Sequence, residues 1–124
     1  MKQENREQNE VSMQSKAYTR MYNERPHLRG RVFAVNNNSE NKVKGALNKA
    51  MGVYGGVSDM LMMIPNGKWV CIEWKTETGV QSEGQKEWQK LAESLGNTYV
   101  VVRSENEFFS VIDKYDHISL KKDY

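Results

Sequence analysis

The order of apolar and polar positions in the N-terminal part of the chain predicts one helix and one strand. Apolar residues recur at helical spacing within residues 9–24, and the pattern stops before Pro26, which disfavours helical backbone in the residue preceding it. Residues 31–35 form a short β-branched and aromatic run that is typical of a strand. Residues 40–51 carry lysines and few apolar positions, which indicates either a loop or a short helix.

Two apolar runs in the middle of the chain predict a β-hairpin. They lie within residues 59–64 and 68–75, and a glycine-containing turn separates them. Because side chains alternate between the two faces of a strand, Glu73 and Lys75 are expected to share one face. The hairpin also folds Asp59 back toward Glu73 on the partner strand. Two carboxylates and an ammonium group are therefore brought together at one end of an apolar hairpin.

The C-terminal half predicts a helix, a strand and a second helix. Ser82 opens a helix that Gly96 ends, and Ser104 opens another helix after the β-branched run at residues 99–103. The apolar spacing of the first of these helices predicts one buried stripe, consisting of Trp88, Leu91, Ala92 and Leu95. The elements thus follow the order helix, three strands, helix, strand, helix, which predicts an α/β protein.

The carboxylate pair of Asp59 and Glu73 suits metal-assisted hydrolysis of a phosphodiester. Placing like charges beside apolar strands costs free energy unless a metal ion or a substrate uses them. Hard cations such as Mg²⁺ bind carboxylate oxygens and lower the pKa of a bound water, and Lys75 would orient that water. The alternative is a solvent-facing ion pair of Glu73 with Lys75, which this three-residue pattern taken alone favours. The preceding glycine turn and the hairpin shift the balance toward the catalytic interpretation.

The segment from Gly55 to Gln85 resembles the VRR-NUC family of nucleases. It contains Gly-Val-Ser-Asp before the hairpin, Glu-Trp-Lys at the end of the hairpin, and a glutamine at the start of the next helix. The family is a branch of the PD-(D/E)xK superfamily, and the resemblance extends over residues 11–112. It implies the restriction-endonuclease-like αβββαβ core, a central mixed sheet flanked by helices. Ser58 stands where many superfamily members have proline, a departure that is common in this branch of small phage and bacterial proteins.

The resemblance implies a set of metal ligands. Asp59, Glu73 and the backbone carbonyl of Trp74 would bind Mg²⁺ or Mn²⁺. Members of the family also place an acidic residue of the first helix near the metal, and Glu10 is the candidate here, with Glu7 as the alternative.

The resemblance also implies two residues that act beside the metal. Lys75 would be the catalytic lysine, and Gln85 would support the site from its helix. Gln85 lies three residues after Ser82, so it is equally well interpreted as half of a capping box. Both interpretations of Gln85 remain open at this point.

Length and composition predict one small domain. With 124 residues we expect a flexible segment at residues 1–8, a nuclease-like domain at 9–115 and a short polar tail at 116–124. Cys71 is the single cysteine and is expected to be buried in its apolar strand. The two histidines are isolated, which disfavours a zinc-type nuclease.

The charges are distributed unevenly, although the net charge is only +2. Basic residues dominate between residues 16–49, whereas acidic residues outnumber basic ones from residue 50 onward. A basic face beside a carboxylate site is typical of enzymes that act on a phosphate backbone, while a solvated surface is the alternative for any single residue. Arg103, at the end of the last strand, either touches phosphate or forms a surface ion pair. The predicted DNA-binding residues are Arg31, Lys42, Lys44, Lys49 and Arg103.

These patterns favour a cytoplasmic, metal-dependent DNA endonuclease, in the host cytoplasm if a phage encodes it, because no membrane-spanning or signal-peptide segment is apparent. No sequence-reading motif is present, so we expect selectivity for DNA structure, with branched or four-way junctions favoured. The resemblance to junction resolvases also implies a homodimer. Its candidate contacts, which burial in the core explains better, are Met60, Met62, Met63, Phe108 and Phe109. The alternative function is a non-catalytic DNA-binding module that keeps the nuclease fold; a small interaction domain ranks last.

Overall fold

A computed structural model describes residues 2–36 and 42–119, within which four α-helices flank one four-stranded sheet. The helices are α1 (Lys2–Glu24), α2 (Lys42–Ala50), α3 (Glu83–Ser94) and α4 (Glu105–Ser119), and a short 3-10 helix (Pro26–Leu28) follows α1. The strands are β1 (Val32–Ala34), β2 (Met60–Ile64), β3 (Lys68–Trp74) and β4 (Thr98–Val102). The predicted order of elements is confirmed, and the lysine-bearing segment is a short helix. Among the described helices, none is both long enough and apolar enough to cross a membrane.

The strands form a mixed sheet in the order β1-β2-β3-β4. The first three strands pair antiparallel, and β4 runs parallel to β3 after the crossover through α3. Pro65, Asn66 and Gly67 join β2 to β3, and Asn66 and Gly67 both have left-handed backbone with φ of 69°. The register pairs Met60 with Ile72 and Glu73 with Val101. This mixed α/β sheet confirms the predicted fold class.

The two faces of the sheet bury different clusters. Ile72 and Trp74 belong to the main hydrophobic core, which includes residues of α1 and α4. Cys71 and Tyr99 form a smaller cluster with Ala92 of α3 on the other face. Because side chains alternate along β3, Glu73 lies on the same face of the sheet as the smaller cluster.

Helix α1 begins at Lys2, so the predicted start at residue 9 is wrong. Residues 2–8 carry no apolar stripe, and periodicity alone therefore misses them. They consist mainly of Lys, Gln, Glu and Arg, which have high intrinsic helix propensity.

Helix α4 continues to Ser119, past the predicted end of the domain at residue 115. Asp116 was assigned to a polar tail, but it is only 8% exposed and its carboxylate bonds Arg31 and His27. A buried ion-paired aspartate has no signature in a hydrophobic pattern, so the pattern alone does not predict that the helix includes it. Positions 120–124 of the predicted tail lie outside the described residues.

The predicted buried stripe of α3 is only partly correct. Ala92 is buried, and Trp88 is half-buried with its ring 6.1 Å from that of Tyr99. Leu91 and Leu95, in contrast, are 55% and 64% exposed. Helix α3 therefore contacts the sheet along a narrower line than its apolar spacing indicates.

Candidate active site

The hairpin brings Asp59 to the end of β3, as its spacing predicts. Asp59 immediately precedes β2, and the pairing of Met60 with Ile72 places it opposite the next residue of β3, Glu73. Its Oδ2 accepts a hydrogen bond of 2.7 Å from the backbone N–H of Trp74. This contact ties the loop before β2 to the last residue of β3.

Glu73 is the most deeply buried acidic residue in the described part of the chain, with 1% of its surface exposed. Its Oε1 accepts a hydrogen bond from the hydroxyl of Tyr99. Its Oε2 is also buried, and no hydrogen-bond partner lies within the described residues. The ammonium Nζ of Lys75 is 3.8 Å from that oxygen, and the Lys75 side chain is itself only 12% exposed. The predicted cluster of two carboxylates and an ammonium group is thus assembled, and it is mostly shielded from solvent.

The electrostatic state of both carboxyl groups follows from this burial. Burial raises the pKa of Glu73, whereas the Tyr99 hydroxyl and the charge of Lys75 oppose the shift. Burial also raises the pKa of Asp59, the Trp74 N–H opposes this, and the charge of Glu73 adds to it. For both carboxyl groups the cost of burial outweighs the contacts that favour the charged form, so ionisation of each is disfavoured.

Glu10 of α1 approaches this cluster. Its charge contributes to the raised pKa of Glu73, so the half-buried Glu10 lies within electrostatic range of the site. The alternative candidate, Glu7, has a side chain outside the described residues. Among the side chains of residues 9–36 and 44–116, no three His, Cys, Asp or Glu form a group that could hold a metal ion. A metal site here would therefore rest on the Asp59–Glu73 pair and backbone oxygen rather than on a preformed triad.

Gln85 occupies the third position of α3 and forms the predicted cap. The backbone N–H of Ser82 donates to Gln85 Oε1 at 2.8 Å, and the N–H of Gln85 donates to Ser82 Oγ at 3.1 Å. The capping interpretation is confirmed. The same helix end borders the approach to Asp59, because a Cβ on Gly56 would lie 2.7 Å from the carbonyl oxygen of Gly84. Only glycine allows this close contact between the loop and α3.

Two of the predicted DNA-binding arginines have hydrogen bonds within the protein. Nη1 of Arg103 donates to the carbonyl oxygens of Thr76 at 2.6 Å and Gly79 at 2.8 Å, which fixes the loop after β3. Arg31 donates to Asp116 and to the carbonyl of Met63, at the end of β2 opposite to the candidate site. Arg31 thus lies at the end of β2 away from Asp59 and Glu73, and Arg103 Nη1 is held by backbone carbonyls of the loop after β3.

The predicted DNA-binding lysines lie on α2. The side chains of Lys44 and Lys49 are exposed, whereas that of Lys42 lies outside the described residues. Helix α2 contains no acidic residue, and the chain runs from its C-terminal end into the loop that leads to Asp59.

Sequence reasoning missed Tyr99 and Gln81. Tyr99 was interpreted only as part of a buried strand, yet its hydroxyl bonds Glu73, and Gln81 Nε2 is 3.4 Å from the same hydroxyl. One signal was present, because a tyrosine within a buried β-branched run needs a partner for its hydroxyl. The identity of that partner depends on the parallel pairing of β3 with β4.

Comparisons with known proteins define the class of fold. No protein-family model matches the chain, and no curated protein sequence matches it. Among solved structures, the chain is similar to a "VRR_NUC domain protein" with a TM-score of 0.73 and 20% sequence identity, over 89% of each chain. The protein therefore has the VRR_NUC domain fold. This finding confirms, at the level of the fold, the resemblance drawn from the motif between Gly55 and Gln85.

Proposed function

We propose that the protein is a divalent-metal-dependent endonuclease that hydrolyses phosphodiester bonds in DNA. The observation that carries this proposal is Glu73, a carboxylate 1% exposed with one oxygen that has no hydrogen-bond partner among the described residues. Leaving such an atom unsatisfied costs about 1–3 kcal/mol or more. A bound cation relieves that cost, and the VRR_NUC fold supports assignment to a nuclease.

The donor set at this end of the sheet fits Mg²⁺ or Mn²⁺. Asp59 and Glu73 offer carboxylate oxygens, the ligand type that hard divalent cations prefer. The indole of Trp74 is buried in the main core, while its N–H donates to Asp59, so the backbone of Trp74 is the part that borders the site. Its carbonyl is a suitable third oxygen. The ion, when bound, would lower the pKa of a water molecule and stabilise negative charge on the phosphate.

Lys75 is suited to act on the reacting groups. Its ammonium lies 3.8 Å from the unbonded oxygen of Glu73 and is largely shielded from bulk water. In that position it donates hydrogen bonds to the attacking water or to phosphate oxygens, and it stabilises charge that develops on the phosphate. A solvent-facing ion pair, the simpler interpretation of Glu73 with Lys75, is inconsistent with side chains that are 1% and 12% exposed.

Gln85 contributes less directly. Its amide oxygen is used by the cap with Ser82, so support for the site would come from its Nε2 group. We assign Gln85 a catalytic role on the motif resemblance alone.

Two surfaces support DNA as the substrate and a second copy of the chain as a partner. Lys44 and Lys49 present positive charge on α2 ahead of Asp59, which suits a phosphate backbone. The exposed Leu91 and Leu95 offer an apolar surface for a second copy of the chain. A two-fold homodimer would present two active sites to a branched or four-way DNA junction. Of the earlier candidate contacts only Met63 is exposed, at 41%, because the other four are buried in the core.

A non-catalytic DNA-binding module with the same fold is the second candidate. Charge on α2 supports DNA binding equally in both cases. The two functions differ in whether the carboxylate cluster is used, so cleavage and metal dependence separate them.

The first test is cleavage of a labelled four-way junction and of a linear duplex of the same sequence, with Mg²⁺, Mn²⁺ or chelator. We expect metal-dependent cutting of the junction, and a loss of at least about 100-fold in rate for Lys75→Ala, because one preorganised stabilising group is removed. Lys68→Ala is the matched control, since Lys68 lies at the opposite end of the same strand and bonds only the Leu95 carbonyl among the described contacts.

The possible outcomes separate the proposals. Cutting of both substrates would keep the nuclease and remove the selectivity for branched DNA. Binding of the junction without cutting under any metal would favour the non-catalytic module. An equal loss of rate in the Lys75 and Lys68 variants would remove Lys75 from the catalytic machinery.

A further inference from the structure

Tyr99 is a buried polar residue beside the site that the motif does not include. It lies on β4, is 8% exposed, and packs with Cys71 and Ala92 in the smaller cluster. Its ring lies 6.1 Å from that of Trp88. These contacts restrict the ring, and with it the direction of its hydroxyl.

The hydroxyl of Tyr99 is the middle of a hydrogen-bonded chain. It donates to Glu73 Oε1, and Gln81 Nε2 lies 3.4 Å from the hydroxyl oxygen. The same Gln81 nitrogen donates to Gln89 Oε1 of α3 at 2.9 Å, which holds the amide in place. A tyrosine hydroxyl has one proton and can also accept, so an amide donor on one side directs the proton toward the carboxylate.

The two oxygens of Glu73 have different contacts. Oε1 is bound to Tyr99, while Oε2 lacks a hydrogen bond within the described residues and faces Lys75 at 3.8 Å. The terminal torsion of a glutamate is broad, so an unanchored carboxylate would turn its plane through a range of orientations. The hydrogen bond from Tyr99 restricts that range and so fixes where the second oxygen lies.

We propose that Tyr99 is a positioning residue, which holds the carboxylate of Glu73 so that Oε2 is presented to the divalent cation and to Lys75. This inference rests on the proposed metal-dependent function. Partners that orient a metal ligand typically change metal affinity or activity by about 10–100-fold when they are removed. Tyr99 would therefore act through Glu73 and would not itself touch the substrate.

The test is the Mn²⁺ affinity of Tyr99→Phe, measured by titration calorimetry on the full chain without DNA. This substitution removes one hydroxyl and keeps the ring that packs on Trp88. We expect the Kd for Mn²⁺ to rise by about 10-fold or more, and the cleavage rate to recover substantially at saturating Mn²⁺. Tyr115→Phe is the matched control, because Tyr115 packs against the main core on α4, and its Kd should equal that of the wild type.

A second variant and a stability measurement separate positioning from packing. Gln81→Ala leaves the Tyr99 hydroxyl in place but removes the donor behind it, so we expect a smaller rise in Kd than for Tyr99→Phe. Thermal unfolding in chelator reports the structural contribution of each side chain. A lower unfolding midpoint with unchanged Mn²⁺ affinity would make Tyr99 merely structural and would overturn the inference. If Tyr99→Phe does not fold, unchanged affinity in Gln81→Ala would overturn it equally.

Failure of this inference and failure of the proposed function give different results. If the wild type binds no Mn²⁺, the proposed function and the positioning role of Tyr99 are both wrong. If the wild type binds Mn²⁺, Glu73→Gln abolishes binding and Tyr99→Phe binds like the wild type, only the positioning role is removed.

Discussion

A carboxylate is buried at each end of the sheet, and the two carboxylates differ in how many hydrogen-bond and ion-pair partners they have. At one end, Asp116 accepts from Arg31 Nη1 at 3.1 Å and lies 2.8 Å from His27 Nε2. At the other end, Glu73 has one oxygen without a hydrogen bond in the described part of the chain, and Lys75 is 3.8 Å away. The first cluster ties α4 to the segment that precedes β1. The second leaves part of a buried charge uncompensated.

The pKa values of the two carboxyl groups reflect this difference. Burial raises the pKa of Asp116, but His27 and Arg31 outweigh it and bring the pKa below its ordinary value of 3.8. Burial raises the pKa of Glu73 above its ordinary value of 4.5, and Tyr99 and Lys75 do not offset that effect. The comparison teaches that a completed cluster stabilises the fold, whereas an incomplete one is typical of a site that binds a ligand.

The largest expected effect is on the free energy of unfolding when each carboxylate is replaced by an amide. Asp116→Asn and Glu73→Gln should differ in the direction of that change. Asp116→Asn should lower the free energy of unfolding by about 1.5–3 kcal/mol, because it removes hydrogen bonds from a charged acceptor. Glu73→Gln in the metal-free protein should leave it unchanged or raise it by about 1 kcal/mol, since an undercompensated buried charge is lost. Urea unfolding at neutral pH in chelator measures both.

Mn²⁺ binding is measured on the same two variants. Glu73→Gln should abolish it, and Asp116→Asn should bind Mn²⁺ like the wild type. Strong destabilisation by Glu73→Gln in chelator would show that Glu73 is a structural residue, and the contrast between the two ends would be lost.

The pH dependence of the same variants sharpens the comparison. Asp116 has a lowered pKa, so its contribution is complete above about 3.8 and is lost as the pH falls. Glu73 has a raised pKa, so its contribution to the stability of the metal-free protein is most favourable below about pH 4.5. That contribution declines as the pH rises through the pKa of Glu73 in the folded state.

Unfolding over roughly pH 3 to 8 in chelator tests both signs. The destabilisation by Asp116→Asn should shrink toward the acidic limit. The advantage of Glu73→Gln over the wild type should grow with pH. A Glu73→Gln advantage that is constant over the whole range would contradict the raised pKa.

The smallest expected effect concerns the surface of α3. Leu91→Lys and Leu95→Lys should change the free energy of unfolding of one chain by no more than about 0.5 kcal/mol, because both side chains are already exposed. If a second copy covers this surface, the double variant should halve the mass measured by light scattering. Ala92→Lys is the contrasting variant, since it places a charge in the buried cluster and should destabilise the chain.

Local patterns determined most of the fold and the centre of the site. The hairpin follows from two apolar runs and an Asn-Gly turn, and its register alone places Asp59 opposite Glu73. The Ser82–Gln85 cap depends on residues three positions apart. Interactions over such short separations depend on local geometry, which is readable from sequence spacing.

Contacts between distant segments were predicted less well. The charge of Arg31 and Arg103 predicts DNA contacts, and the structure adds partners within the protein that charge did not predict. Arg31 bonds Asp116, 85 positions away, and Arg103 bonds carbonyls 24–27 positions away. A guanidinium carries several donors that pair equally well with carbonyls, carboxylates or phosphates. Charge alone therefore does not identify the partner of an arginine.

The sequence by itself determined the order of elements, the hairpin, and the meeting of two carboxylates with a lysine, because each depends on spacing along one or two neighbouring elements. Only the tertiary structure decided the burial of Asp116, the exposure of Leu91 and Leu95, and the hydrogen bond from Tyr99 to Glu73. That bond spans 26 residues and exists because β4 pairs parallel to β3. The order strand, helix, strand favours parallel pairing, but the register that brings Tyr99 to Glu73 depends on how α3 packs across the sheet.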